Sequence, residues 1–314
     1  MFAGVTAVLV AKFNERYHRT GGALIRALES LGVTAVPCEE RTGTVERLTG
    51  RSLGSRLRRL LVAHRPDLVI VFKGGLLEPE VIDSLRSVSS ARWANWFPDS
   101  PHLLDLSLRI GRAYDRCFIF DTSMVARHLD AGHQAEYLAE GCEPEYHRPL
   151  PDPAWPHSGI AFVGSREPLR AQALESVADL GLNAWGPDMP RGPLYGDDFI
   201  KAFSNADIAL NIHQFFGEPA AQGRYGTGAN RRVFEIAGIG TVQLVDAKAD
   251  IARSFVPDEE VVLFRSSAEL RDRALDLLAE PARRAEIAAR ARARALREHT
   301  WRHRLEILIT RTLS

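Results

Sequence analysis

Cysteine is scarce in this sequence, with only Cys38, Cys117 and Cys142 among 314 residues. Three cysteines spread over that length are too few for a disulfide framework or a four-ligand zinc site, and a reducing cytoplasm fits them best. The histidines that stand out, His102 and His213, lie in different halves and have no carboxylate at a metal-ligand spacing. The sequence therefore predicts a cytoplasmic protein without a metal site.

The sequence also lacks an excess of either charge and any long apolar run. Forty Lys and Arg residues balance forty Asp and Glu residues, which removes the global electrostatic argument for nucleic acid or an anionic membrane. No segment approaches the ~20 consecutive apolar residues that a membrane helix needs. The apolar residues 1–10 show neither a basic leader nor a small-residue cleavage site and are typical of a first core strand. We expect no nucleic-acid partner and no integral membrane contact.

The length of the chain predicts two domains, because 314 residues exceed the usual size of one. Short apolar runs alternate with longer amphipathic runs in both halves, which predicts parallel sheets covered by helices. Residues 143–156 carry five prolines, interrupt this pattern and are interpreted as a linker. The predicted fold class is α/β, with two doubly wound, Rossmann-like domains at residues 1–150 and 151–298 and a last helix at 299–314.

The most informative stretch is residues 226–244, where a glycine-rich loop leads into a helix, a glycine turn and a short buried strand. Its early residues place backbone N–H groups and two guanidinium groups at one helix N-terminus, which favours a diphosphate. Glu235 cannot bind phosphate, but an ionised carboxylate can accept hydrogen bonds from both hydroxyls of a ribose. The alternative is an ordinary solvated helix face on which Arg231 or Arg232 pairs with Glu235.

Two predicted strand ends in the same half supply further candidates. Gly164, Ser165 and Arg166 offer close backbone, a hydroxyl and a guanidinium to a diphosphate, unless they form only a structural turn. The glycines of the dinucleotide fingerprint G-x-G-x-x-G are absent, which disfavours an NAD enzyme. His213 ends another strand beside residues 214–228, a candidate lid. This histidine is either a packing residue or a ligand contact.

In the N-terminal half, the candidates follow predicted strands, at the edge where α/β sheets bind ligands. Lys73 and Gly74 follow one strand, where the lysine would meet a phosphate or acceptor group, although a plain strand-to-helix turn uses the same residues. Asp99 follows the next strand and is the acid–base candidate of this half. The alternative is that Asp99 only caps the helix that begins after it.

Several of these residues fall in segments that resemble a known family. The segments are residues 162–165, 211–213, 230–238, 250–251, 257–260 and 298–301, with looser matches at 72–74 and 96–101. Together they resemble the CgeB-like (spore maturation protein type) group 1 glycosyltransferases. The resemblance implies a GT-B fold, in which two Rossmann-like domains face a central cleft and the last helix crosses back to the N-terminal domain.

The resemblance implies an enzyme that moves a sugar from a UDP-, dTDP- or GDP-sugar donor to an acceptor that the sequence leaves open. The donor-binding residues would be Gly164, Ser165, Arg166, Asn211, Gly228, Asn230, Arg231, Arg232 and Glu235. The acceptor side would comprise Phe13, Asn14, Lys73, Gly74 and His102. The catalytic candidates are Asp99 and His213.

The same residues suggest how the leaving nucleoside diphosphate would be stabilised, because guanidinium groups and a helix N-terminus can act without a divalent ion or another cofactor. The resemblance implies retention of configuration, whereas inversion would require a base, for which Asp99 is the candidate. Many retaining relatives carry a second glutamate eight residues before the ribose-binding one, and here Thr227 stands in its place. Two alternatives stay open: a nucleotide-sugar epimerase of GT-B fold and a non-catalytic two-domain protein that binds a small molecule.

Overall fold

The computed structural model describes residues 2–13, 20–40, 52–99, 101–214 and 226–314. The chain divides into two compact units. The first consists of Met1–Ala139 and Trp301–Ser314, and the second of Glu140–Thr300. Each unit is built on one parallel sheet, as the alternation of short apolar and longer amphipathic runs predicts.

The first unit holds a six-stranded sheet in the order β2-β1-β3-β4-β5-β6, and its neighbouring strands pair in parallel. Its strands are β1 Thr6–Ala11, β2 Thr34–Glu39, β3 Leu68–Phe72, β4 Arg92–Phe97, β5 Arg116–Ile119 and β6 Ala135–Tyr137. The helices between them are α1 Thr20–Ser30, α2 Leu53–His64, α3 Pro79–Arg86, α4 Leu104–Gly111 and α5 Thr122–Asp130, with a 3-10 turn at Pro101–Leu103. This sheet is covered on both faces, which accounts for its almost uniformly apolar strands.

Alternate residues of the strands enter two separate apolar cores. On β1, Val8 and Val10 belong to one core, and Leu9 belongs to the other. The second of these cores also receives the last helix of the chain, α11 Trp301–Leu313, whose first residue Trp301 packs edge-on against Trp96 at 5.4 Å between ring centroids. The C-terminal helix is therefore part of the first unit.

The second unit holds a five-stranded sheet in the order β11-β10-β9-β7-β8, again with parallel pairing. Its strands are β7 Ser158–Val163, β8 Leu182–Trp185, β9 Ala206–Asn211, β10 Gln243–Asp246 and β11 Val262–Phe264. Its helices are α6 Pro168–Glu175, α7 Asp197–Ser204, α8 Arg231–Ile239, α9 Ser267–Ala279 and α10 Pro281–Glu298, with a 3-10 turn at Ala249–Arg253. The carboxyl ends of β7 and β9 lie side by side, because these strands are neighbours in the sheet.

The proline-rich residues 143–156 lie within the second unit, and the first unit ends at Ala139, before the predicted boundary at residue 150. Specific hydrogen bonds fasten this segment. The Tyr146 hydroxyl donates to the Gly196 carbonyl at 2.6 Å, and the Leu150 N–H donates to Ser204 Oγ at 3.0 Å. Prolines exclude helix and central strand here, as predicted, but they do not prevent the segment from packing on the sheet that follows it.

Across the segments that the structure describes, no helix combines the length and the apolar character that crossing a membrane requires.

Candidate functional site

Helix α8 begins at an amide network that also holds the end of β9. Asn230 is its N-cap, in an extended conformation, and its side-chain oxygen accepts the Val233 N–H at 3.3 Å. The amides of Asn230 and Asn211 exchange two hydrogen bonds, at 3.0 and 3.1 Å, and Asn211 donates a third to Gln243 at 3.0 Å. Asn211 and Asn230, two of the residues predicted to bind the sugar donor, thus contact each other, and together they fix the direction of the α8 N-terminus.

His213 adds a second connection to the same helix start. Its Nδ1 lies 2.7 Å from Asp246 Oδ1, and its Nε2 accepts the Asn230 N–H at 3.0 Å. Since a backbone N–H is always a donor, this geometry requires the neutral tautomer with the proton on Nδ1. Burial would raise the pKa of Asp246, but the contacts with His213 outweigh it and leave the pKa below its usual value. Both ring nitrogens of His213 are engaged in holding α8.

We expect His213→Ala to destabilise the protein by about 2 kcal/mol, because the buried carboxylate of Asp246 loses its hydrogen bond from the imidazole and keeps the one from the backbone N–H of residue 213. The low pKa of Asp246 means that this contribution is present at neutral pH and is lost as the pH falls below the ordinary aspartate value. Denaturant unfolding at pH 7 measures the loss. His157→Ala is the matched control, because His157 pairs with Asp207 at 3.2 Å on the surface and should change stability by about 0.5 kcal/mol or less.

Two arginines of the first helical turn are each held by a different partner. Arg231 Nε donates to Glu140 Oε1 at 2.9 Å, and the Glu140 side chain is only 4% exposed. Arg232 stacks on Phe199, with 4.3 Å between the guanidinium carbon and the ring centroid. Both guanidinium groups are therefore held in place at the helix end whose dipole favours an anion.

Glu235 lies one turn into α8 and is mostly buried, with 15% of its side chain exposed. Arg232 lies 3.3 Å from one of its oxygens, and His147 Nε2 lies 3.7 Å from the other. Burial alone would raise the pKa of Glu235, but the two arginines and His147 hold it below its usual value. The pair with Arg232 exists, yet the buried setting differs from the solvated helix face that was the alternative interpretation.

The turn after β7 approaches the same place. A Cβ added at Gly186 would lie 1.9 Å from the Gly164 carbonyl, so β8 must be followed by a glycine for the two turns to pack. Arg170, on α6, donates to Ser165 Oγ at 2.9 Å and to the Ile212 carbonyl at 3.0 Å. Arg166 is exposed. The guanidinium that reaches this turn thus belongs to Arg170, and burial lowers its pKa.

These groups surround a cavity of about 380 Å³ in the second unit, a volume typical of small-molecule sites. Of the predicted donor residues, Gly164, Asn211, Asn230, Arg231, Arg232 and Glu235 line it, together with Glu140, Phe162, Val163, Arg170 and Ile212. Ser165 contacts the lining residue Arg170. Gly228 and His213 are buried beside the α8 N-terminus. Residues 215–225 of the candidate lid lie outside the described residues.

Sequence reasoning missed Glu140 and Arg170. Glu140 follows the last strand of the first unit and precedes the proline-rich segment, so its position in the chain gave no reason to join it to a helix that starts ninety-one residues later. Arg170 could have been inferred from the sequence, because it lies one helical turn beyond the predicted Gly164-Ser165-Arg166 turn. Thr227, which stands where many retaining relatives carry a second glutamate, donates a hydrogen bond from its hydroxyl to Asp250 Oδ2 at 3.0 Å.

The candidates of the first unit lie at the carboxyl edge of its sheet. Lys73 Nζ lies 2.8 Å from Asp99 Oδ2, and both side chains are partly exposed. Lys73 and Gly74 adopt positive φ angles of 70° and 81°, and the turn they form is fixed by Asn95, whose amide donates to the Lys73 carbonyl at 3.1 Å. His102 is exposed on the 3-10 turn that follows.

Phe13 lies two residues after β1, and its N–H donates to Glu39 Oε2 at 3.0 Å. Asn14 lies outside the described residues. The neighbouring Glu40 is 3% exposed, and burial raises the pKa of its carboxyl even though Lys12 and Lys73 oppose the shift. The edge therefore carries charged groups of both signs.

The model of a family described as "Glycosyl transferase-like" matches residues 166–310. This region includes α8 and the arginines and glutamate at its N-terminus. No curated protein sequence matches the chain significantly.

Solved structures match over nearly the whole chain. A sucrose-phosphate synthase from Thermosynechococcus elongatus has a TM-score of 0.72 at 12% identity, covering 98% of this chain and 99% of that one. Anabaena HepE, solved in complex with UDP-glucose, has a TM-score of 0.66 at 11% identity, covering 98% of each chain. A glycosyltransferase from Rickettsia africae has a TM-score of 0.64 at 11% identity, again covering 98% of each chain. The fold is GT-B. This confirms the predicted fold class, and the GT-B fold together with the family match supports a glycosyltransferase.

Proposed function

We propose that this protein transfers a sugar from a nucleoside-diphosphate-sugar donor to an acceptor. The observation that carries the proposal is the cavity at the α8 N-terminus, where two oriented guanidinium groups and a mostly buried, ionised carboxylate lie within one helical turn. Arg231, Arg232 and the helix dipole suit a diphosphate, and Glu235 suits the two hydroxyls of the attached ribose. Anabaena HepE has been solved with UDP-glucose and with UDP, which supports a nucleotide sugar as donor.

The proposed chemistry follows from the same charges. When the bond between the sugar and the diphosphate breaks, negative charge develops on the leaving diphosphate. Arg231, held in place by Glu140, and Arg232, stacked on Phe199, offset that charge without reorganising. We propose that these groups suffice without a divalent cation, so activity should persist when a chelator is present.

The finer assignments remain part of this proposal. The motif pattern favours the CgeB-like subtype and retention of configuration, and Asp99 and His102 on the first unit are proposed to meet the acceptor. His213 is proposed as a positioning residue, because both of its ring nitrogens hold other groups. The anomeric configuration of the product, read by NMR, tests retention.

The direct test is to incubate the protein with UDP-, dTDP- and GDP-sugars and to measure release of the nucleoside diphosphate and the fate of the sugar. We expect one nucleotide to raise the melting temperature and its sugar form to be consumed, because a ligand bound only by the folded state stabilises it. Conversion of the donor sugar into its epimer would show that the protein is an epimerase and not a transferase. No binding of any nucleotide sugar would reject the proposal.

A further inference from the structure

A second polar cluster lies in the first unit, among residues that the proposed transfer does not use. It joins Cys117 on β5, His128 near the end of α5 and His133 in the turn that leads to β6. We propose that these three residues bind a transition-metal ion of the zinc class. Thiolate and imidazole are ligands that zinc prefers, whereas magnesium and calcium prefer oxygen, so the donor set selects the metal.

The spacing of the three donor atoms suits one ion. The two Nδ1 atoms lie 3.0 Å apart, and all three donor atoms, including the Cys117 sulfur, lie within 4.8 Å of one another. A tetrahedral zinc ion with bonds of about 2.0–2.1 Å to nitrogen and 2.3 Å to sulfur spans roughly 3.3 Å between two nitrogens and 3.6 Å between nitrogen and sulfur. Small rotations of the side chains would therefore complete the site, with solvent as the fourth ligand beside the half-buried His133.

The surroundings already orient one ligand. His128 Nε2 lies 2.6 Å from Ser107 Oγ, and both residues are fully buried. A histidine that ligates a metal through one nitrogen usually bonds an outer partner through the other, which fixes the ring. If Nε2 donates to the serine, the lone pair on Nδ1 faces His133 and the cluster. Glycine at position 111 leaves room for the His133 ring, since a Cβ there would lie 2.8 Å from His133 Nδ1.

The position of the cluster indicates a structural role. Cys117 lies near the amino end of β5, where its N–H donates to the Gln134 carbonyl at 2.8 Å. Ligand-contacting groups of such sheets lie at the opposite, carboxyl edge, where Lys73 and Asp99 are found. A metal at the amino edge would tie together β5, α5 and the turn before β6, and would not take part in sugar transfer. The competing interpretation is a metal-free hydrogen bond between the two imidazoles.

The test uses the full-length protein after removal of metals with a chelator. We expect ZnCl₂ at about one hundred times its dissociation constant to raise the melting temperature by roughly 5 °C, and MgCl₂ to have no effect. CoCl₂ should produce a thiolate-to-cobalt absorption band, which reports a sulfur ligand. A wild-type protein that shows neither the zinc shift nor the cobalt band would overturn the proposal.

Variants separate this site from adventitious metal binding. Cys117→Ser should abolish the cobalt band, and His133→Ala, at a half-buried position that the fold tolerates more readily, should abolish the zinc shift. Cys38→Ser is the matched control, because Cys38 is equally buried at 1% exposure and lies on β2. Unaltered zinc shifts and cobalt spectra in both cluster variants would show that the ion binds elsewhere. Cys117→Ser and His133→Ala should both bind the nucleotide as wild type does. Loss of zinc binding with unchanged nucleotide binding therefore tests this proposal separately from the transferase proposal.

Discussion

Glu235→Ala is expected to weaken the binding of the preferred nucleoside diphosphate by about 100-fold, because it removes two hydrogen bonds to a charged acceptor, each worth about 1.5–3 kcal/mol. The expected loss is smaller than the sum of the two hydrogen-bond energies. The reason is that Arg232, 3.3 Å from Glu235 in the intact site, can bind the diphosphate more strongly once Glu235 is removed. Isothermal titration calorimetry on the purified variant measures the dissociation constant. Glu235→Gln should show a smaller loss, since the amide keeps one acceptor oxygen.

The control for this prediction is a nucleoside diphosphate that lacks both ribose hydroxyls. Glu235→Ala should bind that analogue at least as tightly as wild type, because no ribose hydrogen bond is lost and Arg232 is released from its pair with Glu235. Glu286→Ala is the control for removing a charge, since Glu286 forms an exposed pair with Arg290 on α10. Equal affinity of wild type and Glu235→Ala for the complete nucleotide would remove the ribose role from Glu235.

The architecture of this chain was accessible from sequence because parallel strands buried on both faces leave a strong signal. Runs such as Leu68–Phe72 are apolar throughout, and the helices between them are amphipathic. The start of α8 was accessible for a similar reason, because Asn230 carries its capping signal locally. Both inferences rest on contacts between residues that are close in the chain.

The rest of the site depends on contacts that sequence spacing does not encode. Glu140 reaches Arg231 across ninety-one residues, and His147 reaches Glu235 from the segment interpreted as a linker. The Cys117, His128 and His133 cluster was missed for the same reason, since the ring orientations come from the packing of α4 against α5 rather than from a recognisable spacing. Partners that tertiary packing brings together become visible only when the fold is known.

Substitution of Asp99 is expected to lower turnover strongly, because of the structure around this residue. The turn at Lys73 and Gly74 uses left-handed backbone at two successive residues, which is costly for lysine and is often kept at functional sites. That turn holds the lysine ammonium 2.8 Å from the Asp99 carboxylate. An ion pair at the carboxyl edge of the sheet, partly open to solvent, is suited to contact and orient an acceptor hydroxyl.

We expect Asp99→Asn to lower turnover by about 100-fold or more, because loss of the carboxylate misplaces the acceptor hydroxyl, while the dissociation constant of the nucleotide donor stays within about twofold of wild type. Initial-rate kinetics with the donor and acceptor, together with calorimetry for donor binding, separate the two effects. Asp115→Asn is the matched control, because Asp115 pairs with Arg86 at 3.3 Å with nearly the same exposure but precedes β5 at the amino edge. Turnover close to wild type in Asp99→Asn would remove the proposed role of Asp99 in the reaction.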